Sequence, residues 1–207
     1  VYKRQKVLLV DTAGMGKSTL LKYLFISCIR ENGGIPILIE LRKLNSEDSI
    51  LDYILNELNG TNGEIDRRYL QAVIERGDFM IFLDGYDEID EELKSSITTK
   101  LEDFSSEADN NIFIMSSREE SSLSCFGDFQ RFTIQNLSKE EAFALIRKYD
   151  KQGKYADLLI QKLEEERNLQ IIQEFLANPL MVSLLYKAFE YKEYIPYKKH
   201  LFYRQVY

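Results

Sequence analysis

Five short apolar runs constrain this chain more than any other feature: KVLLV at 6–10, IPILIEL at 35–41, FMIFLD at 79–84, NIFIMSS at 111–117 and RFTIQ at 131–135. They are mostly continuous rather than alternating. A strand with one wet face alternates apolar and polar residues, and a strand covered on both faces does not. Helical segments lie between most of them. STLLKYLFISCIREN follows the first, and SILDYILNELN sets Ile50, Leu51, Ile54, Leu55 and Leu58 on one helical face. DRRYLQAVIERG closes at Gly77, a helix-stop signal. Alternating strand and helix predicts an α/β sandwich around a parallel sheet.

The pattern changes near residue 136, beyond which no convincing strand occurs. LSKEEAFALIRKY opens with Ser138 and Glu141 at capping-box spacing. Further helices are expected at roughly 154–166, 168–177 and 180–192, with Pro196 breaking the run and a last helix near Lys198. The expected organisation is an α/β domain at 1–135 and a small helical domain at 136–207. At 44% hydrophobic residues the chain is globular. A net charge of −7 argues against bulk nucleic-acid or anionic-membrane binding. Cys28 and Cys125 form no C-x-x-C pair and lie far in sequence from His200, the only histidine, which reads as a surface residue. That excludes the usual zinc patterns and a disulfide framework, and suits a reducing, cytoplasmic setting. The apolar run PLMVSLLY is too short to span a bilayer. The chain opens at Val1 just before a core strand, so it reads as a piece of a larger protein.

Chemistry concentrates at the ends of these strands. DTAGMGKST, residues 11–19, follows an apolar strand and opens an amphipathic helix, and its end fits the phosphate-loop pattern G-x-x-x-x-G-K-[ST]. Small residues at Ala13, Gly14 and Gly16 leave room for backbone amides to face a phosphate. Lys17 would bring charge to its oxygens and Ser18 a hydroxyl to Mg²⁺, with the helix dipole adding to both. The candidate nucleotide-binding set is Thr12, Ala13, Gly14, Met15, Gly16, Lys17, Ser18 and Thr19. In FMIFLDGYDEID, Asp84 ends a strand where a carboxylate can reach Mg²⁺, and Asp87 or Glu88 could activate a water. The ordinary reading is an acidic helix start. In NIFIMSSREE, Arg118 suits phosphate oxygens, but pairing with Glu119 or Glu120 at the surface is the simpler expectation. Pro179 after Asn178 reads locally as the first position of a helix. The tyrosine- and lysine-rich tail from Leu185 has helical spacing and interleaved Glu190 and Glu193, which suits core or a covered interface better than base stacking.

Taken together, AGMGKSTLLKYL, IPILIELRKL, FLDGYDEID, IMSSRE and LANPLMVSLL, in that order, resemble a NACHT domain, a branch of the STAND class of P-loop NTPases. Gly85 directly after the Mg²⁺ aspartate, with acids at Asp87 and Glu88, is the most distinctive part of the likeness. The resemblance implies a P-loop NTPase sandwich with strand order 5-1-4-3-2, followed by a helical domain closing over the nucleotide, with Pro179 at the adenine. It implies an ATP/ADP switch with slow Mg²⁺-dependent hydrolysis, coupled to self-association in a signalling or innate-immune, antiviral defence protein. In relatives a winged helix follows, and the resemblance implies that this piece is cut before it. No guanine-specific N-K-x-D motif or transporter-type LSGGQ signature occurs, and the acidic balance opposes a DNA-handling ATPase. The rival is a degenerate NACHT fold serving as a non-hydrolysing scaffold. Asp11 supports that rival, because it stands where the pattern has its first glycine. If the turn demands a left-handed backbone there, aspartate costs about 1–2 kcal/mol. With some repulsion of the phosphates, affinity would fall about thirtyfold, so Asp11→Gly is expected to tighten ADP binding by roughly one to two orders of magnitude.

Overall fold

The computed structural model describes residues 5–60, 65–151, 153–165 and 169–192. The expectations for Glu193, Pro196, Lys198 and His200 lie outside them. The chain divides into two compact units, one of residues 1–12 and 17–134, the other of 13–16 and 135–207.

The first unit runs β1 (Lys6–Val10), α1 (Lys17–Arg30), β2 (Ile35–Glu40), α2 (Ile50–Asn59), α3 (Arg67–Arg76), β3 (Phe79–Asp84), α4 (Glu91–Glu107), β4 (Ile112–Ser117) and β5 (Gln130–Phe132). The strands form one sheet in the order β2-β3-β4-β1-β5, with every pairing parallel. This is the 5-1-4-3-2 order that the resemblance implies. Side chains alternate between the faces. Leu8, Val10, Ile39, Ile81, Leu83, Phe113 and Met115 enter a large core with Ile50 and Ile54 of α2, Leu70 and Ile74 of α3, and Ile97, Leu101 and Phe104 of α4. Leu9 and Phe82 face the other way, against Leu21, Leu24 and Phe25 of α1. Both faces of the central strands are therefore covered, which is why their runs are apolar without alternation.

β5 departs from that expectation. It spans three residues, pairs only with β1, and all three are exposed, including Phe132 at 44%. At the sheet edge it has a neighbour on one side alone, so the apolar run RFTIQ is not evidence of burial there. Local signals are accurate elsewhere. Gly77 ends α3 with φ +85°, a left-handed conformation that glycine adopts without strain. Asp66 caps α3 and Ser49 caps α2 through side-chain oxygens.

The second unit holds α5 (Lys139–Tyr149), α6 (Ala156–Glu165), α7 (Leu169–Leu176) and α8 (Pro179–Lys192). Its core joins Phe143, Ile146, Leu159, Leu163, Phe175, Val182, Leu185 and Phe189. Ser138 and Glu141 form the capping box at α5. Asp150 caps α6, accepting from Tyr155 N at 2.8 Å and Ala156 N at 2.7 Å. No helix among the described residues is long and apolar enough to cross a membrane.

Candidate functional site

Parallel strands end together, so the segments leaving β1, β3 and β4 emerge at one edge of the sheet. They carry Asp11–Thr12, Gly85–Glu88 and Arg118–Glu120. α1 begins at Lys17, so Lys17, Ser18 and Thr19 form its first turn. The Lys17 ammonium donates to the carbonyl oxygens of Asp11 at 2.7 Å and Thr12 at 2.9 Å. Burial lowers its pKa below the ordinary lysine value, and the carboxylates of Asp87 and Asp11 oppose that shift. Ser18 Oγ donates to Asp84 Oδ1 at 2.9 Å, so the two residues expected at Mg²⁺ meet although 66 positions apart. Ser116 Oγ donates to the same oxygen at 2.7 Å and accepts from Gly85 N at 3.0 Å. Ser116 is 1% exposed, and it fixes both the aspartate and the turn after it.

That turn carries the two further acids, and the structure separates them. Both oxygens of Asp87 are engaged by Arg118: Oδ1 by the backbone N at 2.9 Å and Oδ2 by Nε at 3.0 Å. The expected surface pairing of Arg118 with Glu119 or Glu120 is therefore corrected. Glu119 pairs with Arg131 and Glu120 with Lys94. Parallel pairing of β3 and β4 brings Asp87 to Arg118, a proximity that sequence adjacency cannot show. Glu88 is half exposed, and its one ion pair among the described residues is with Arg42, at 3.4 Å. Lys94 ties the segments together, donating to Tyr86 O at 2.5 Å and lying 4.2 Å over the Tyr86 ring while it pairs with Glu120.

Sequence reading missed Ser116, Arg42 and Lys94. The polar Ser116–Ser117 pair closing an apolar strand was a visible signal for the first. Arg42 stands in a short turn after β2 and Lys94 inside a helix, where nothing local marks either.

Within the loop, Met15 is buried while Thr12 and Ala13 are exposed. Gly16 has φ +92°, and a Cβ built there would meet nothing within 4 Å. Residues 13–16 group with the second unit, inside which Asn178 Nδ2 donates to Ala13 O at 3.0 Å and Leu180 N to Gly14 O at 3.2 Å. Asn178 Oδ1 also caps α8, accepting from Leu180 N at 3.0 Å, and Pro179 takes the first helical position as its local sequence predicts.

Asp11 is not the defect the sequence suggests. Asn32 is the only non-glycine with positive φ among the described residues, so Asp11 carries no left-handed strain. Its carboxylate is bound within the protein: Oδ1 accepts from Thr12 N at 2.7 Å and Oδ2 from Ile134 N at 2.9 Å. The backbone-strain part of the penalty expected for aspartate at this position has no structural basis.

The donor set fits a hard cation held beside phosphate. Ser18 and Asp84 offer oxygen only, the ligand type Mg²⁺ takes while keeping several waters. The ammonium of Lys17 suits phosphate oxygens.

The sequence profile of the NACHT domain matches residues 5–152. No curated protein matches the chain. Among solved structures, the Cdc6p crystal structure from Pyrobaculum aerophilum is 16% identical over 90% of this chain and 55% of its own, with a TM-score of 0.56. The crystal structure of a DNA replication initiation factor is 14% identical over 91% of this chain and 56% of its own, with a TM-score of 0.50. At these identities the likeness is one of fold. The chain spans just over half the length of these solved chains.

Proposed function

The chain belongs to the NACHT domain family, a nucleotide-binding P-loop NTPase fold, and from that premise we propose that it is an ATP/ADP switch domain with slow, Mg²⁺-dependent hydrolysis. The observation that carries this reading is the meeting of Lys17, Ser18 and Asp84 at one sheet edge, with Ser116 holding the aspartate. Residues 12–19 present the loop to the phosphates, and Lys17 exchanges the carbonyls of Asp11 and Thr12 for phosphate oxygens. Ser18 and Asp84 hold Mg²⁺, which when bound neutralises phosphate charge. Pro179, at the start of α8, is assigned to the adenine by resemblance alone.

Glu88 is the better-placed base, because both oxygens of Asp87 are occupied. It takes a proton from water as that oxygen bonds to the terminal phosphorus and the bond to the ADP oxygen breaks. Asp87 instead orients Arg118 toward the charge that develops. Turnover by this chain on its own is expected to be far below the enzyme median of about 10 per second, since it has no neighbouring subunit to shield the reaction from water. In a larger, cytoplasmic signalling or defence protein, the ADP and ATP states would bias self-association.

Calorimetry with ADP and Mg²⁺ on the wild-type chain and Lys17→Ala tests the site. Binding by the first and its loss in the second is expected. Equal affinity would refute the assignment. The rival scaffold reading rested on Asp11, whose geometry no longer favours it.

A further inference from the structure

Asp11 stands where phosphate loops of this pattern carry their first glycine. Glycine suits such a turn when the backbone is left-handed or a side chain would collide. Neither holds here. Asp11 lies outside the positive-φ region, and its side chain turns to acceptor duty on two backbone amides. The parallel ladder explains the geometry. β1 pairs with β5 up to Leu9 opposite Phe132. Continuing that register by two residues sets Asp11 opposite Ile134, where the regular pairing has ended. There Asp11 Oδ2 accepts from Ile134 N at 2.9 Å. A side-chain oxygen thus extends the β1–β5 ladder beyond its last backbone pair. On the other side of the strand, Asp11 N donates to Ser117 O at 3.2 Å, which carries the β1–β4 ladder one step further.

The same residue governs the first step of the loop. Oδ1 accepts from Thr12 N at 2.7 Å, and the carbonyls of Asp11 and Thr12 are the two acceptors of the Lys17 ammonium. The position and direction of those carbonyls depend on how the chain leaves β1. Asp11 pins that exit at three points: Ser117 O, Ile134 N and Thr12 N. Glycine keeps only the first.

We propose that Asp11 is a positioning residue that replaces the loop's first glycine with a carboxylate staple, fixing the loop entrance and, through its carbonyls, the resting place of Lys17. This rests on the reading that the loop takes the phosphates of ADP. It reverses the expectation drawn from the pattern, because removing the aspartate should weaken nucleotide binding rather than strengthen it.

The test compares wild-type chain, Asp11→Asn and Asp11→Gly at a temperature where all three are fully folded. ADP affinity with Mg²⁺ is measured by calorimetry, and amide exchange at Ile134 and Thr12 by NMR. Asp11→Gly is expected to bind ADP about tenfold more weakly, the factor that corresponds to one charged-group hydrogen bond, and to exchange both amides faster. The carboxamide introduced by Asp11→Asn keeps one acceptor oxygen of two, so that variant should fall between in both readouts. A role in stability alone would lower melting temperatures but leave the affinity of the folded variants unchanged. Unchanged or tighter ADP binding by Asp11→Gly overturns the proposal, whatever the exchange rates. Failure of the wild-type chain to bind ADP overturns the functional reading itself, and this inference with it.

Discussion

Replacing Ser116 by alanine isolates the element that joins the β3 and β4 ends. Ser116 is 1% exposed, donates to Asp84 Oδ1 at 2.7 Å and accepts from Gly85 N at 3.0 Å. Alanine leaves the Gly85 N–H buried without an acceptor, which costs about 1–3 kcal/mol, and removes a bond to a charged group worth roughly 1.5–3 kcal/mol. Asp84 is half-buried and keeps Ser18 as a donor, so water recovers part of the second contribution. The net destabilisation is about 2–3 kcal/mol, which for a chain of this size lowers the melting temperature by roughly 5–10 °C. Ser117→Ala is the matched control. Ser117 is equally buried, but among the described residues its hydroxyl bonds only to Arg118 O, and it should lose about 1 kcal/mol. Unfolding in urea, without nucleotide, measures both. The same Ser116→Ala protein should need more Mg²⁺ for half-maximal ADP binding, because Asp84 has lost one of its two hydroxyl anchors. Equal stability of the two variants would refute the argument that Ser116 carries this junction.

Asn111 is fully buried and bonds to Phe79 N, Ile74 O and Ala108 O. Asn111→Ala should destabilise the first unit by about 3 kcal/mol in denaturant unfolding, mainly because Phe79 N is left without its acceptor. Gly16→Ala should cost about 1–2 kcal/mol of backbone strain at φ +92° and reduce ADP affinity in calorimetry, with no collision inside the protein itself. Glu88→Gln should leave ADP binding intact and abolish hydrolysis in a single-turnover assay, whereas Asp87→Asn should only slow it. The amides of Ala156 and Tyr155 lower the Asp150 pKa from 3.8 to about 2. A folded pKa below the unfolded one means that this stabilisation is complete above about pH 4 and is lost as pH falls through about 2. The gap in melting temperature between wild type and Asp150→Asn should therefore close over that interval.

The sequence by itself determined the layered α/β unit, the helical unit after it and the loop that opens α1. These follow from local physics: continuous apolar runs where a strand is covered on both faces, glycine at the left-handed end of α3, a capping box at Ser138 and proline at the first turn of α8. It also singled out Lys17, Ser18 and Asp84 as candidates, because a small-residue loop between strand and helix and an aspartate ending a strand suit phosphate and Mg²⁺. The tertiary structure decided which residues share those strand ends. The order β2-β3-β4-β1-β5 brings Ser116 to Asp84, Asp87 to Arg118 and Asp11 to Ile134, pairs separated by 32, 31 and 123 positions. No periodicity encodes such pairs, since they depend on which strands neighbour each other and where each ladder stops. The same cause explains two further misreadings besides the pairing of Arg118. Apolar RFTIQ suggested a buried strand but forms an exposed edge, because burial belongs to a strand's place in the sheet. Asp11 suggested a broken loop but is bonded at both oxygens, because the strain expected of a residue depends on the backbone conformation it adopts and not on the pattern it interrupts.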